Sequence, residues 1–275
     1  MDSYIQQLIF FLVLFQDDFD VKHSWLNLKV RGDKEKVENI CKSHYSVDEN
    51  KRILIFTTKA CLRILAEARG VGIDGTFKSA PKGWTQILII SAEVTKDCWV
   101  PVIYIWLPNK LEDTYIMAFN MVKSCLSKIG VKKLSALYCI MDFEVALRNS
   151  FQKVFGKKIS LKGCHFHFGQ SLWRFVQNNG MRIPFCTKGN ECLVDLVRSA
   201  IALAFVPLKR FKEAFDVLEK KSKAMPKKFK KFGSDFIKYL DDWWVNGNYP
   251  IETWNFNFFD GTSNNNFNEG KFKNV

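Results

Sequence analysis

The sequence predicts an α/β (α+β) chain, a mixed sheet flanked by helices and interrupted by an all-helical segment. Three observations predict it. Apolar runs of strand length crowd residues 53–107, and two stretches of helical period then alternate with short apolar strands up to about residue 167. Residues 168–255 change character and read as helices rich in Lys, Phe and Leu. A meander followed by alternating helices and strands is the pattern of a sheet that buries its faces under helices.

Taken in order, residues 1–50 form a poorly defined N-terminal segment of mixed charge with no sustained period. Within it "LIFFLVLF" (8–15) is too short to span a bilayer and lacks the basic flank and cleavage site of a signal peptide. It reads as a buried strand or helix, or as an irregular start to a gene model. "RILIFTTKACLRILAEA" is a strand followed by a short helix. Strands follow at about 70–77, 85–93 ("TQILIISAE") and 98–107 ("CWVPVIYIWL"), the last holding Pro101, which favours a bulge or an edge.

"LEDTYIMAFNMVKSCLSKIG" is a helix, with Asp113 or Thr114 as its cap and Gly130 as its stop. Tyr115, Ala118, Phe119, Val122, Leu126 and Ile129 recur at helical spacing. The strand "LSALYCIM" ends at Asp142. A second helix, "FEVALRNSFQKVFG", sets Phe143, Leu147, Phe151 and Val154 on one face and Gly156 past its end, and "KISLKGCHF" returns as a strand carrying His165. Beyond residue 168 the helices are punctuated by Pro207, Pro226 and Gly233, and the chain closes in an asparagine-rich segment. The resulting division is 51–167 for the first part of the core, 168–255 for the helical insertion, and 256–275 for the start of a last helix.

With 275 residues, 47% of them hydrophobic, the chain can bury a core of one or two domains. Its net charge of +13 suits a polyanionic partner, because basic side chains that neutralise phosphates release condensed counterions. Eight cysteines, at 41, 61, 98, 125, 139, 164, 186 and 192, include no CxxC pair, so a disulfide framework is not expected and an intracellular setting is.

Two acids stand where chemistry could sit. Asp74, in "GVGIDGTFKSAPKG", is either a turn acid, since Asp-Gly is a common hairpin dipeptide, or a metal ligand on a strand. Asp142 lies where a strand gives way to a helix. Paired carboxylates on a rigid sheet supply the hard oxygens Mg²⁺ takes, with room for water and substrate phosphates. A third acid would complete a two-metal site, and Glu269, after "NNN", is the candidate.

The surrounding strings carry a resemblance. "DGTFKSAPKGWTQ" around Asp74, "VPVIYIWLPNKLEDTY", "IMDFEVA" at Asp142, "GCHFHFGQSLWR" with Cys164 and His167, and "NNFNEG" at Glu269 together resemble the Mutator-like element (MULE) transposase family. The resemblance covers roughly residues 50–275 in consistent order. It implies an RNase H-like fold with a helical insertion before the last acid. It also implies a DDE-type catalytic domain in which Asp74, Asp142 and Glu269 hold two Mg²⁺ (or Mn²⁺) ions. The reaction implied is hydrolysis at a transposon end followed by attack of the freed 3′-hydroxyl on target DNA. The partners are then DNA, as terminal repeats and target, and a further copy of the chain in a homo-oligomer; no membrane is involved, and the location is nuclear.

Two departures from the family are visible. No Cys/His finger pattern occurs in the first 60 residues, and the chain stops six residues beyond Glu269. The helix holding Glu269 is therefore expected to be short, as in a truncated copy. The alternative to an active enzyme is a domesticated or truncated, catalytically inactive DNA-binding or regulatory protein; a general nuclease on the same sheet is a third reading.

Other positions have two readings each. Cys164 and His167, with Cys186 and Cys192, could form a structural zinc site, or a buried thiol and a hydrogen-bonded imidazole. His165 reads as structural or solvent-facing. Gln170, Trp173 and Arg174 share a helix face, where Trp173 could stack on a base or pack in the core. "KKSKAMPKKFKKF" (220–232), with Lys227, Lys228, Lys230 and Lys231, could grip phosphates, act as a nuclear import signal, or be a solvated face. Lys78, beside the first aspartate, could meet substrate phosphate, and Gly75 would allow close backbone approach.

Overall fold

The computed structural model describes residues 52–77, 80–96, 98–257, 259, 261 and 263, together with the backbone of three strands at 29–31, 37–39 and 41–45. Strands β1 (Lys29–Arg31) and β2 (Val37–Asn39) pair antiparallel. The remaining strands are β3 (Cys41–Tyr45), β4 (Ile53–Thr57), β5 (Gly70–Thr76), β6 (Gln86–Thr95), β7 (Cys98–Leu107), β8 (Tyr138–Met141) and β9 (Ser160–Gly163). They form one seven-stranded sheet in the order β3-β4-β7-β6-β5-β8-β9. This is the mixed sheet flanked by helices that the sequence predicts, consistent with an RNase H-like α+β fold.

The chain divides into two compact units, Met1–Cys139 with Glu144–Ser160 and Phe267–Val275, and Ile140–Phe143 with Leu161–Asn266. In the first, β6 is buried from Gln86 to Glu93 without a break, as expected of a strand covered on both faces. On one face Leu54, Ile87, Ile89 and Trp106 pack with Trp84. Helix α1 (Lys59–Glu67) follows β4 and is capped by Thr58, whose Oγ1 accepts the Cys61 N–H at 3.1 Å. Helices α2 (Glu112–Lys128) and α3 (Val145–Phe155) bury Phe119 against Phe151, ring centroids 5.6 Å apart and edge-to-face.

Pro101 lies in a strand paired on both sides, and the bulge expected of it is present. Ile90 pairs with Ile103 and Ser91 with Pro101, so Val102 is skipped. The ladder from β4 to β7 covers only Tyr104 to Trp106, and beyond it the Thr57 hydroxyl donates to the Val102 carbonyl at 2.8 Å. A side chain thus satisfies a buried carbonyl near the irregularity.

The expected cap of α2 is corrected. Asp113 and Thr114 lie inside the first turn, and the cap position is Leu111. Asn109 Oδ1 accepts the Leu111 N–H at 3.0 Å, a local turn that starts the helix earlier. Glu112 and Asp113 still place negative charge at the helix's positive end. Gly130 closes the helix as expected, at φ +85°.

The second unit is helical: α4 (His165–Asn178), α5 (Arg182–Cys186), α6 (Glu191–Ala202), α7 (Phe211–Lys223), α8 (Lys227–Leu240) and α9 (Ile251–Trp254), with a π-helical turn at Asp241–Val245. Its core gathers Phe168 and Leu172 from α4, Leu196 from α6, Phe232 and Phe236 from α8, and then Trp244 and Trp254. Phe168 stacks on Trp254 at 4.8 Å and meets Trp244 edge-on at 4.7 Å. Aromatic mass thus supplies much of this core.

Two sequence readings change here. Phe143 is not on the face of α3, which begins at Val145; its ring packs against Trp244 at 4.7 Å and Tyr249 at 5.1 Å. His165 is the first residue of α4 rather than a strand residue. No helix among the described residues is long and apolar enough to cross a membrane.

Candidate functional site

Asp74 is a strand residue, not a turn acid. It lies on β5 opposite Ile89 of β6 and is half-buried. The next residue, Gly75, has no room for a side chain without displacement: a β-carbon there would lie 2.9 Å from Gln86 Oε1. The glycine of the Asp-Gly pair thus lies at a close approach of the Gln86 amide and not in a turn.

Asp142 is the first residue past β8. Its Oδ1 accepts the N–H of Phe143 at 2.6 Å, and its side chain is 46% exposed. The carboxylate is therefore oriented by backbone and open to solvent. His167 Nδ1 lies 3.8 Å from the same oxygen, an ion-pair distance when the imidazole is protonated. That nitrogen is buried and makes no hydrogen bond.

The residues behind Asp142 are tightly placed. The Cys164 N–H donates to the Met141 carbonyl at 2.9 Å, and Cys164 is the buried residue that opens α4, so His167 falls in that helix's first turn. Gly163 faces the Phe143 ring with no space for a β-carbon. The Tyr249 hydroxyl donates to the Phe143 carbonyl. His165 sits among Phe205, Phe168 and Phe256, the nearest ring centroid at 4.7 Å. Burial pushes its pKa down, and a hydrogen bond with the backbone of Ile201 partly opposes that.

The zinc set is not assembled. Cys164 is buried while Cys186 and Cys192 are exposed, and no group of three or more metal-binding side chains occurs among the described residues. Cys186 ends the short α5 and Cys192 is the second residue of α6.

Trp173 is half-buried on α4 and packs edge-on against Phe185 at 5.0 Å. Arg174 is exposed. Lys227, Lys228, Lys230 and Lys231 are all exposed on α8, whose Phe229, Phe232 and Phe236 turn inward. Lys228 donates to Asn190 Oδ1 at 2.8 Å, whereas Lys227, Lys230 and Lys231 form no ion pair among the described residues. Lys78 and Glu269 lie outside the described residues.

A set of residues that the sequence reading did not single out joins Gln86, Lys110, Tyr115 and Glu144. Gln86 Nε2 donates to the Tyr115 hydroxyl at 2.6 Å, which donates to Glu144 Oε1 at 2.7 Å. Lys110 Nζ donates to Glu144 Oε2 at 3.0 Å. The available signals were a glutamine opening the apolar run Ile87–Ile90 and a glutamate two residues past Asp142. Tyr115 was counted only as part of an apolar helix face.

Comparison with curated proteins gives no match. Comparison with protein families gives one for residues 70–171, the MULE transposase domain. The matched stretch runs from β5 into α4 and includes Asp74, Asp142, Cys164 and His167. Over residues 70–171 the chain therefore resembles the MULE transposase domain, as its motifs indicate.

Proposed function

We propose that the chain is a DDE-type catalytic domain that cleaves and transfers DNA strands at transposon ends, acting in the nucleus. The observation that carries this is the sheet order. Asp74 is borne by β5, and its sheet neighbour β8 ends one residue before Asp142. The family match over the same strands supports it.

The donor chemistry fits a divalent cation. Asp74 and Asp142 offer hard carboxylate oxygens, and the exposure of Asp142 leaves space for water and phosphate. With Glu269 as third acid, these residues would hold Mg²⁺ or Mn²⁺, which when bound supplies charge neutralisation and an activated water. The chain's own part is positioning. The Phe143 N–H holds Asp142 Oδ1, so one oxygen is fixed by backbone. His167 Nδ1 stands 3.8 Å from that oxygen, on the first turn of α4. The exposed lysines of α8 present positive charge to a phosphate backbone.

The test is nicking of DNA bearing the cognate terminal repeats, with Mg²⁺ or Mn²⁺, by the unaltered chain and by Asp142→Asn. Metal-dependent nicking that the substitution abolishes without unfolding is the expected result. Equal behaviour of the two proteins removes the enzymatic claim. DNA binding without nicking by either would favour the inactive, DNA-binding derivative.

A further inference from the structure

We propose that Tyr115, Glu144 and Lys110 are positioning residues for the acid Asp74, acting through one polar line that begins and ends beside it. The inference rests on the proposed metal-binding role of that acid.

The line starts behind Gly75, where Gln86 Oε1 occupies the space next to the missing side chain. From the same Gln86 amide it passes to the Tyr115 hydroxyl and on to Glu144, then from Glu144 to Lys110. It ends at Phe77, with Lys110 Nζ 4.1 Å from the ring centroid. Gly75 and Phe77 are the first and third residues after Asp74, and Glu144 is the second residue after Asp142.

Burial gives the line its stiffness. Gln86 is 1% exposed and Tyr115 0%, so neither can exchange its partner for water without an opening of the fold. A buried donor or acceptor that loses its partner costs free energy, which disfavours any shift of Gln86 or Glu144. The line also crosses elements distant in sequence: β6, α2, and the loops before α2 and α3. It therefore restrains the backbone beside Asp74 with one set of bonds, all of them within the first unit. Lys110 adds charge complementarity to Glu144 and lies over an aromatic face.

Partners standing behind metal-holding side chains typically account for ~10–100-fold in metal affinity. Mn²⁺ binding to the purified full chain, followed by calorimetry, therefore tests the line without reference to activity. Tyr115→Phe should weaken Mn²⁺ binding about tenfold or more. Lys110→Met, at the exposed end of the line and so less exposed to misfolding, should weaken it in the same direction. Glu144→Gln keeps an acceptor for Tyr115 and should fall between Lys110→Met and the unaltered chain. Phe151→Leu loosens the same pair of helices without touching the line and should bind Mn²⁺ as the unaltered chain does. If the unaltered chain binds no Mn²⁺, the carboxylate reading fails and this inference with it. If it binds, and Tyr115→Phe and Lys110→Met bind as tightly, this inference alone is overturned. Equal weakening in Phe151→Leu would overturn it too, since packing would then explain the loss.

Discussion

The ring of Phe143 fills the space that a β-carbon would need at Gly163. This ties the residue after Asp142 to the end of β9, immediately before the buried Cys164 that opens α4. The absence of one methyl group thus lets an aromatic ring lock the strand-to-helix junction beside the candidate acid.

Gly163→Ala should therefore displace Phe143 from its seat against Trp244 and Tyr249. Overpacking of this kind costs ~1–3 kcal/mol. Urea denaturation followed by tryptophan fluorescence would register the loss; an unchanged midpoint would show that the ring can move aside freely.

The hydroxyl of Thr57 reaches the Val102 carbonyl beside the β7 bulge, in a place where Thr57 is 5% exposed. Thr57→Val keeps the shape and leaves that carbonyl without this donor. A destabilisation of ~1–3 kcal/mol is expected, and Thr57→Ser should recover most of it. Equal stability of the valine and serine variants would remove the hydrogen bond from the account.

His165 makes unit stability depend on pH. Its folded pKa lies below the ordinary value near ~6.5 because burial among aromatic rings disfavours the cation. The unfolded chain therefore binds the proton more readily, and stability is lost as pH falls through about 6.5 towards the folded value. Thermal melts from pH 8 down to pH 5 should show a falling midpoint that is shallower in His165→Phe. Parallel curves would place the pH dependence elsewhere.

The lysines of α8 should contribute to DNA affinity through charge alone. Lys227, Lys230 and Lys231 lack ion pairs among the described residues, so their charge is available to phosphates. Replacing all three with glutamine should lower the slope of log affinity against log salt by roughly 2–3, at about 0.9 per phosphate contact. Fluorescence anisotropy on a duplex at several salt concentrations measures it. An unchanged slope would return these lysines to a merely solvated face.

Much of this protein was readable residue by residue. The strands around Asp74, the helix over Tyr115–Leu126 and its glycine stop follow from period and local propensity, which short stretches of chain carry in themselves. The motif strings around Asp74 and Asp142 sufficed to identify the family resemblance that the match over residues 70–171 bears out. Local signals failed at junctions. Phe143 has helical spacing with Leu147 and Phe151, yet it packs against Trp244, a residue a hundred positions away, because burial of an aromatic ring outweighs a weak helix preference.

The tertiary structure alone decided three things. It set Asp74 on a strand opposite Ile89, placed His167 beside Asp142, and threaded Gln86, Tyr115, Glu144 and Lys110 into one polar line. Each depends on which distant segments become neighbours. A hydrogen bond between residues 29 positions apart leaves no periodic trace in the sequence, because its energy arises only once the chain has closed and water has left.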